Sequence, residues 1–228
     1  FDTVGKECRH VAEHAGIIEL TGFSRFHLKG DGAADWLASL ITGNLPQVGR
    51  FGLVYFASAK GKVLTEMSAT RLAEDEFLLI TGAGAYWHDR DLLNGCLPTS
   101  GGVSLQDTTR DYATLLVTGP KSPAIIAAVS GLSTSQADFP WLSYQPCQMA
   151  DVLTVYDQIM KAGAPHQLGH FGMLALDSMR LEKGYRSWKS DLTSDYTMLE
   201  SGLGRWVKFD KADFVGRSAL QAEHQAGS

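Results

Sequence analysis

Apolar residues recur at helical spacing over 2–15, where Val4, Cys8, Val11 and Ala12 form one stripe and Gly16 stops it. Short strand-like runs follow at 17–20 and 25–29. A second helix is predicted over 32–41, capped by Asp31 and burying Ala33, Leu37, Leu40 and Ile41. The most strand-like stretch is a pair of runs, 52–58 and 62–72, joined by Ala59-Lys60-Gly61 with glycine where a positive φ is expected. In the second run Val63, Thr65, Met67 and Ala69 share one face, and Leu64, Glu66, Ser68 and Thr70 the other. Residues 77–81 complete this meander.

A helix over 84–95 is expected to carry Trp87, Asp91 and Leu92 inward. Strand pieces at 103–106 and 112–118 precede a helix over 121–129, and two more helices are predicted over 152–161 and 171–183, the last capped by Gly184. Strands that come in hairpins between single helices predict an α+β fold, with antiparallel sheets covered by helices. The expected organisation is a first lobe over 1–131, a Pro-punctuated connector over 132–150, a second, helical lobe over 151–220 and a disordered tail over 221–228.

Composition narrows the function classes. With 228 residues, 44% of them hydrophobic, the chain can build a real core. A net charge of −5 gives no counterion-release drive toward nucleic acid and does not suit an anionic membrane. No apolar run approaches the ~18 residues of a membrane-spanning helix. Cys8, Cys96 and Cys147 form no CxxC pair and read as buried or idle thiols in a reducing compartment. The chain starts at Phe1 with nothing resembling a signal peptide, so it reads as part of a longer protein, cytoplasmic or, in a eukaryote, in the mitochondrial matrix.

Several motifs have plain structural readings. His10-Val-Ala-Glu13-His14 fits an inverted zinc-peptidase pattern, but its apolar residues belong to the helix stripe and no third ligand follows; no metal site is expected. His166 and His170 repeat the spacing in what reads as a loop around Gly169. Gly82-Ala-Gly84 opens a helix after a strand, yet Trp87 occupies the third glycine position of a dinucleotide turn. Gly119-Pro-Lys-Ser122 reads as a helix-initiating turn.

Two residues invite a functional reading. Glu66 interrupts an apolar strand; it is either an edge residue facing water or a carboxylate held in a pocket, able to orient or deprotonate an amine. In Asp177-Ser-Met-Arg-Leu-Glu-Lys-Gly-Tyr-Arg-Ser-Trp188, Arg180 either pairs with Asp177 on a surface helix or, with the aromatics after it, meets a planar anionic ligand.

The segments 177–220 (DSMRLEKGYRSWKSDLTSDYTMLESGLGRWVKFDKADFVGRSAL) and 52–82, with VTGPKSPAIIAAVSG at 117–131 and FPWLSYQ at 139–145, resemble the folate-binding region of the glycine-cleavage T-protein (aminomethyltransferase) family. The version most resembled is the one fused to flavin-dependent dimethylglycine and sarcosine dehydrogenases. The resemblance implies two intertwined folate-binding lobes, tetrahydrofolate as cofactor, and transfer of a one-carbon unit from an N-methylamine donor to give 5,10-methylenetetrahydrofolate. It implies a fused or associated flavin domain, with FAD only in an oxidoreductase domain outside this chain. It places Glu66 on the family's catalytic aspartate and Arg180 on its ligand-binding arginine; Tyr185 and Trp188, the aromatics that crowd the turn after Arg180, are the further folate contacts expected. Two departures stand out. A family segment with a G-E-x-G-x-E stretch is missing between Gln148 and Asp151, and the family's final β-rich domain does not follow Leu220. A non-catalytic folate- or partner-binding paralogue and a folate-dependent S- or O-demethylase are the alternative readings.

Overall fold

The computed structural model describes residues 2–227. In chain order its elements are α1 (Asp2–Glu13), β1 (Ala15–Glu19), β2 (Ser24–Lys29), α2 (Ala33–Leu40), β3 (Phe51–Ala57), β4 (Val63–Ala73), β5 (Glu76–Thr81), α3 (Tyr86–Cys96), β6 (Ser104–Asp107), β7 (Leu115–Thr118), α4 (Ser122–Ser130), α5 (Val152–Gly163), β8 (Leu168–His170), α6 (Met173–Glu182) and α7 (Arg217–Ala226). The chain divides into two compact units that interleave in sequence: 1–21 with 110–186, and 22–109 with 187–228. The linear division at 131 and 151 is therefore not how the chain clusters. Strands distant in sequence pair instead.

In the first unit β1 is the central strand of the order β7-β1-β8, antiparallel to β7 and parallel to β8. Alternate β1 residues bury into two clusters, Ala15 and Ile17 with Ile125 and Ile159, and Ile18 with Val11, Phe171 and Ala175. Burial on both faces explains its unbroken apolar run. The stretch expected as a loop around Gly169 is thus a strand. Glycine there leaves room for His10: a Cβ would lie 2.7 Å from its Nε2, and the ring, hydrogen-bonded to the Gln167 carbonyl at 2.7 Å, would have to shift. The α6 helix ends as expected, with Gly184 at φ 70°.

The second unit holds an antiparallel sheet in the order β3-β4-β5-β2-β6. One face packs Phe26, Leu28, Val54, Phe56, Met67 and Leu79 against Leu37 of α2 and Leu93 of α3. On the other face Tyr55, together with Ala57 and Val63 beside a bulge at Phe56/Ala57, joins a second cluster with Leu192, Met198, Leu203, Val207, Phe214 and Leu220. Gly61 makes the β3–β4 turn at φ 75°.

Four expectations are corrected. Asp75, not Asp31, serves the start of α2, accepting from the Ala34 amide at 2.9 Å. The buried stripe of α3 continues from Ala85 through Asp89 to Leu93, while Trp87 is 66% exposed beneath the Arg90 guanidinium. The tail is helical through Ala226, because Leu220 is buried and Glu223 and His224 engage Thr197 and Phe209. Of the cysteines expected as buried or idle thiols none is buried: Cys8 is half-buried, Cys96 and Cys147 are exposed, and all three are free.

Candidate functional site

Glu66 lies on β4, paired with β3 on one side while the ladder to β5 begins two residues later at Ser68, and it is half-buried rather than facing water. Strand alternation sends Met67 and Ala69 into the main core and Glu66, Ser68 and Thr70 to the half-buried opposite face. The register sets Tyr55 directly across from Glu66. Tyr55 is itself buried, its ring edge-on to Trp206 at 5.1 Å, and its hydroxyl donates to the Glu66 carboxylate. Burial nevertheless pushes the Glu66 carboxyl above its ordinary range, the Tyr55 hydrogen bond opposing the shift. The second carboxylate oxygen, Oε2, is buried and has no hydrogen-bond partner among the described residues. A buried acceptor without a partner is costly. Here it equips a rigid sheet face to receive a proton, an N–H donor or a cation.

Trp188 belongs to the same unit and packs against the cluster that contains Tyr55. Its indole Nε1 is buried without an acceptor among the described residues. The following residue, Lys189, fixes the turn by donating its ammonium to the Gly84 carbonyl at 2.6 Å. Beside Trp188, at 6.3 Å between ring centroids, stands His88, whose Nδ1 is 2.8 Å from the buried carboxylate of Asp89. Sequence reasoning passed over this dyad, although an aspartate inside the apolar stripe of α3 was its signal.

Arg180 and Tyr185 belong to the other unit. The surface-pair reading of Arg180 is realised geometrically: Nε donates to Oδ1 of Asp177 at 2.7 Å, and Nη1 donates to the Tyr185 carbonyl at 3.0 Å. The Tyr185 ring is 59% exposed. The structure thus joins Arg180 to Tyr185, and places Glu66 and Trp188 around one apolar cluster.

Among the described residues no group of three His, Cys, Asp or Glu side chains could hold a metal ion. The strands around Gly82 are antiparallel, unlike those of a dinucleotide fold. Gly119 and Ser122 close a turn on each other at 2.8 Å. A mostly apolar cavity of about 400 Å³ lies in the first unit between α4 and α5, and none of the four predicted site residues lines it. No helix among the described residues is long and apolar enough to cross a membrane.

Comparison with known proteins follows the same lines. The chain is 30% identical to mouse mitochondrial dimethylglycine dehydrogenase over 247 residues, covering 97% of this chain and 28% of that protein. It is 29% identical to the aminomethyltransferase of Streptomyces avermitilis over 237 residues, covering 92% of this chain and 63% of that one. The chain therefore spans under a third of the dehydrogenase's length. The crystal structure of glycine cleavage system aminomethyltransferase T from Bartonella henselae superposes with a TM-score of 0.85 at 22% identity, covering 98% of this chain and 67% of that one, a likeness of fold. The family model for the GCVT N-terminal domain matches in two stretches, 1–155 and 147–211, which overlap at 147–155. Matched over most of its length, and with the fold of an aminomethyltransferase T-protein, the chain belongs to the GCVT N-terminal domain family.

Proposed function

We propose that the chain is a tetrahydrofolate-binding one-carbon transfer module that forms 5,10-methylenetetrahydrofolate from an N-methylamine-derived iminium or from formaldehyde. The observation that carries this reading is the half-satisfied Glu66 carboxylate, one oxygen served by Tyr55 and the other buried without a partner. Orphaned buried atoms of both senses, Glu66 Oε2 as acceptor and Trp188 Nε1 as donor, fit a ligand whose ring carries N–H and carbonyl groups. Tetrahydrofolate supplies, when bound, the nucleophilic nitrogens that take up the carbon. Trp188, in the unit of Glu66, offers an aromatic face, and Arg180 and Tyr185 are proposed folate contacts of their own unit, the guanidinium suited to a carboxylate.

Glu66 has two tasks in this reading. Its negative charge stabilises the cationic donor, and at a buried site that stabilisation is worth more than in water. Closing the methylene bridge takes one proton from each of two folate nitrogens; the carboxylate accepts them in turn and passes them to the departing nitrogen, which leaves as an ammonium, or to the oxygen of formaldehyde, which leaves as water. A raised proton affinity suits both steps. The donor comes from a fused or associated flavin oxidoreductase, which would hold any FAD, in the cytoplasm or the mitochondrial matrix. The names of the dehydrogenase relatives support that pairing.

The test is single-turnover formation of 5,10-methylenetetrahydrofolate above the uncatalysed formaldehyde rate, in the wild type and in Glu66→Gln. The variant is expected to slow transfer by ~10²–10⁴ while retaining most of the folate affinity. Equal rates would remove Glu66 from the chemistry. Folate binding without transfer in the wild type would favour the non-catalytic paralogue, a reading supported by the overlap of the family matches at 147–155.

A further inference from the structure

We propose that Tyr55 is a positioning residue for Glu66, an inference that rests on the reading of Glu66 as the proton-handling carboxylate. Tyr55 and Glu66 are direct partners across the β3–β4 ladder, so their side chains leave the same face of the sheet next to each other. The tyrosine is 3% exposed, and its ring is held by Trp206 and by the cluster of Met198, Leu203 and Val207. A phenol fixed in this way has little freedom in where its hydroxyl points. It donates to Glu66 and leaves Oε2 as the oxygen without a partner.

The arrangement answers a problem posed by glutamate itself. Its side chain has one more rotatable bond than aspartate, so a catalytic glutamate reaches further but is less defined. A hydrogen bond from an immobilised donor removes that freedom and selects which oxygen faces a ligand. The bond also favours the ionised form, against the burial that opposes it. The remaining ionisable groups on this face lie away from Glu66 in the ladder. Glu76 on β5 is paired with His27 on β2 at 2.7 Å, Lys29 neighbours Glu76 in the register, and Arg25 donates to the Phe23 and Thr109 carbonyls. No charged side chain of β3 or β5, or of the 188–220 segment covering the face, contributes to the Glu66 shift. Tyr55 is the polar group acting on it.

The experiment compares wild type, Tyr55→Phe and the protein carrying 3-fluorotyrosine at position 55. Tyr55→Phe keeps the ring and its packing and removes the donor. Fluorotyrosine keeps the fold and strengthens the donor. Two readouts are taken: the pH titration of the Glu66 carboxyl ¹³C shift in ligand-free protein, and the pH profile of methylene transfer. Tyr55→Phe is expected to move both the titration and the acidic limb to higher pH and to lower kcat about tenfold, with the KM for tetrahydrofolate within about twofold. Fluorotyrosine is expected to move both to lower pH. An unmoved titration in both variants overturns the inference, as does a shifted titration with unchanged kcat. Loss of transfer in Glu66→Gln beside an unaffected Tyr55→Phe sinks the positioning role alone. Full transfer in Glu66→Gln sinks the underlying reading of Glu66 as well.

Discussion

Thr81 donates its hydroxyl to Oδ2 of Asp89 at 2.6 Å, at a point where the aspartate has no exposed surface. The other oxygen, Oδ1, lies 2.8 Å from Nδ1 of His88. The buried carboxylate is satisfied from both sides, which is what permits a charge inside the stripe of α3. Thr81→Val removes the hydroxyl at nearly constant volume and strands Oδ2. The expected cost is about 2 kcal/mol, measured as a lowered urea midpoint with an unchanged m-value. Asp89→Asn is expected to cost less, since it removes the charge and keeps one acceptor oxygen, while the new amide N–H can donate to the Thr81 hydroxyl oxygen.

Glu66 should make stability fall with rising pH. Its folded carboxyl holds its proton above the ordinary range. In the window from about pH 4.5, the unfolded value, upward through the raised folded value, the native state binds more protons than the unfolded one. Stability is therefore lost as pH rises through that window. Glu66→Gln is expected to melt higher than wild type at pH 7 and alike at pH 4, as measured by thermal unfolding. A more stable but slower variant is the usual signature of a functional strain.

Arg180 tests the folate reading. Its guanidinium is oriented by Asp177 and by the Tyr185 carbonyl. Arg180→Lys keeps the charge and loses the planar fork. Tetrahydrofolate affinity, measured by calorimetry, is expected to fall about tenfold, while thermal stability changes little because lysine keeps the charge opposite Asp177, whose carboxylate is exposed. Unchanged affinity with an intact fold would return Arg180 to a surface ion pair.

Lys211 donates its ammonium to the carbonyls of Ala38, Ile41 and Gly43 at 2.7–2.9 Å, closing the C-terminal end of α2. Burial pushes this lysine down from 10.5 to about 8. Between those values the unfolded state binds more protons than the native state, so stability rises with pH for this group. Lys211→Met strands the three carbonyls and lacks this slope. Its deficit in melting temperature against wild type is expected to be present at pH 7 and to widen toward pH 10.

Much of this was legible in the sequence because the periodicities are local. The β3–β4 turn at Gly61 and the two-faced pattern around Glu66 follow from alternation and one glycine. What could not be read lies in long-range pairing. The strand at Gly169 exists because β1 lies beside it, and no window around 168–170 contains β1. Asp75 replaces Asp31 at α2 because a later turn folds back onto the helix. Glu66 itself was visible as a carboxylate in an apolar strand. Tyr55 was not, since its role appears only when the register of two strands is fixed.

The interleaving of the two units fixes an order of assembly on the ribosome. β1 is the central strand of its sheet and precedes both its partners, since β7 and β8 begin at Leu115 and Leu168. The five strands between Ser24 and Asp107 have all their ladder partners within that interval. They can pair while β1, apolar on both faces, has only α1 beside it and neither of its strand partners. At ~5–20 residues per second the wait is several seconds. The nascent chain therefore carries one sticky strand until the residues of β7 and β8 have followed it, and chaperone dependence should track that strand and not the larger sheet.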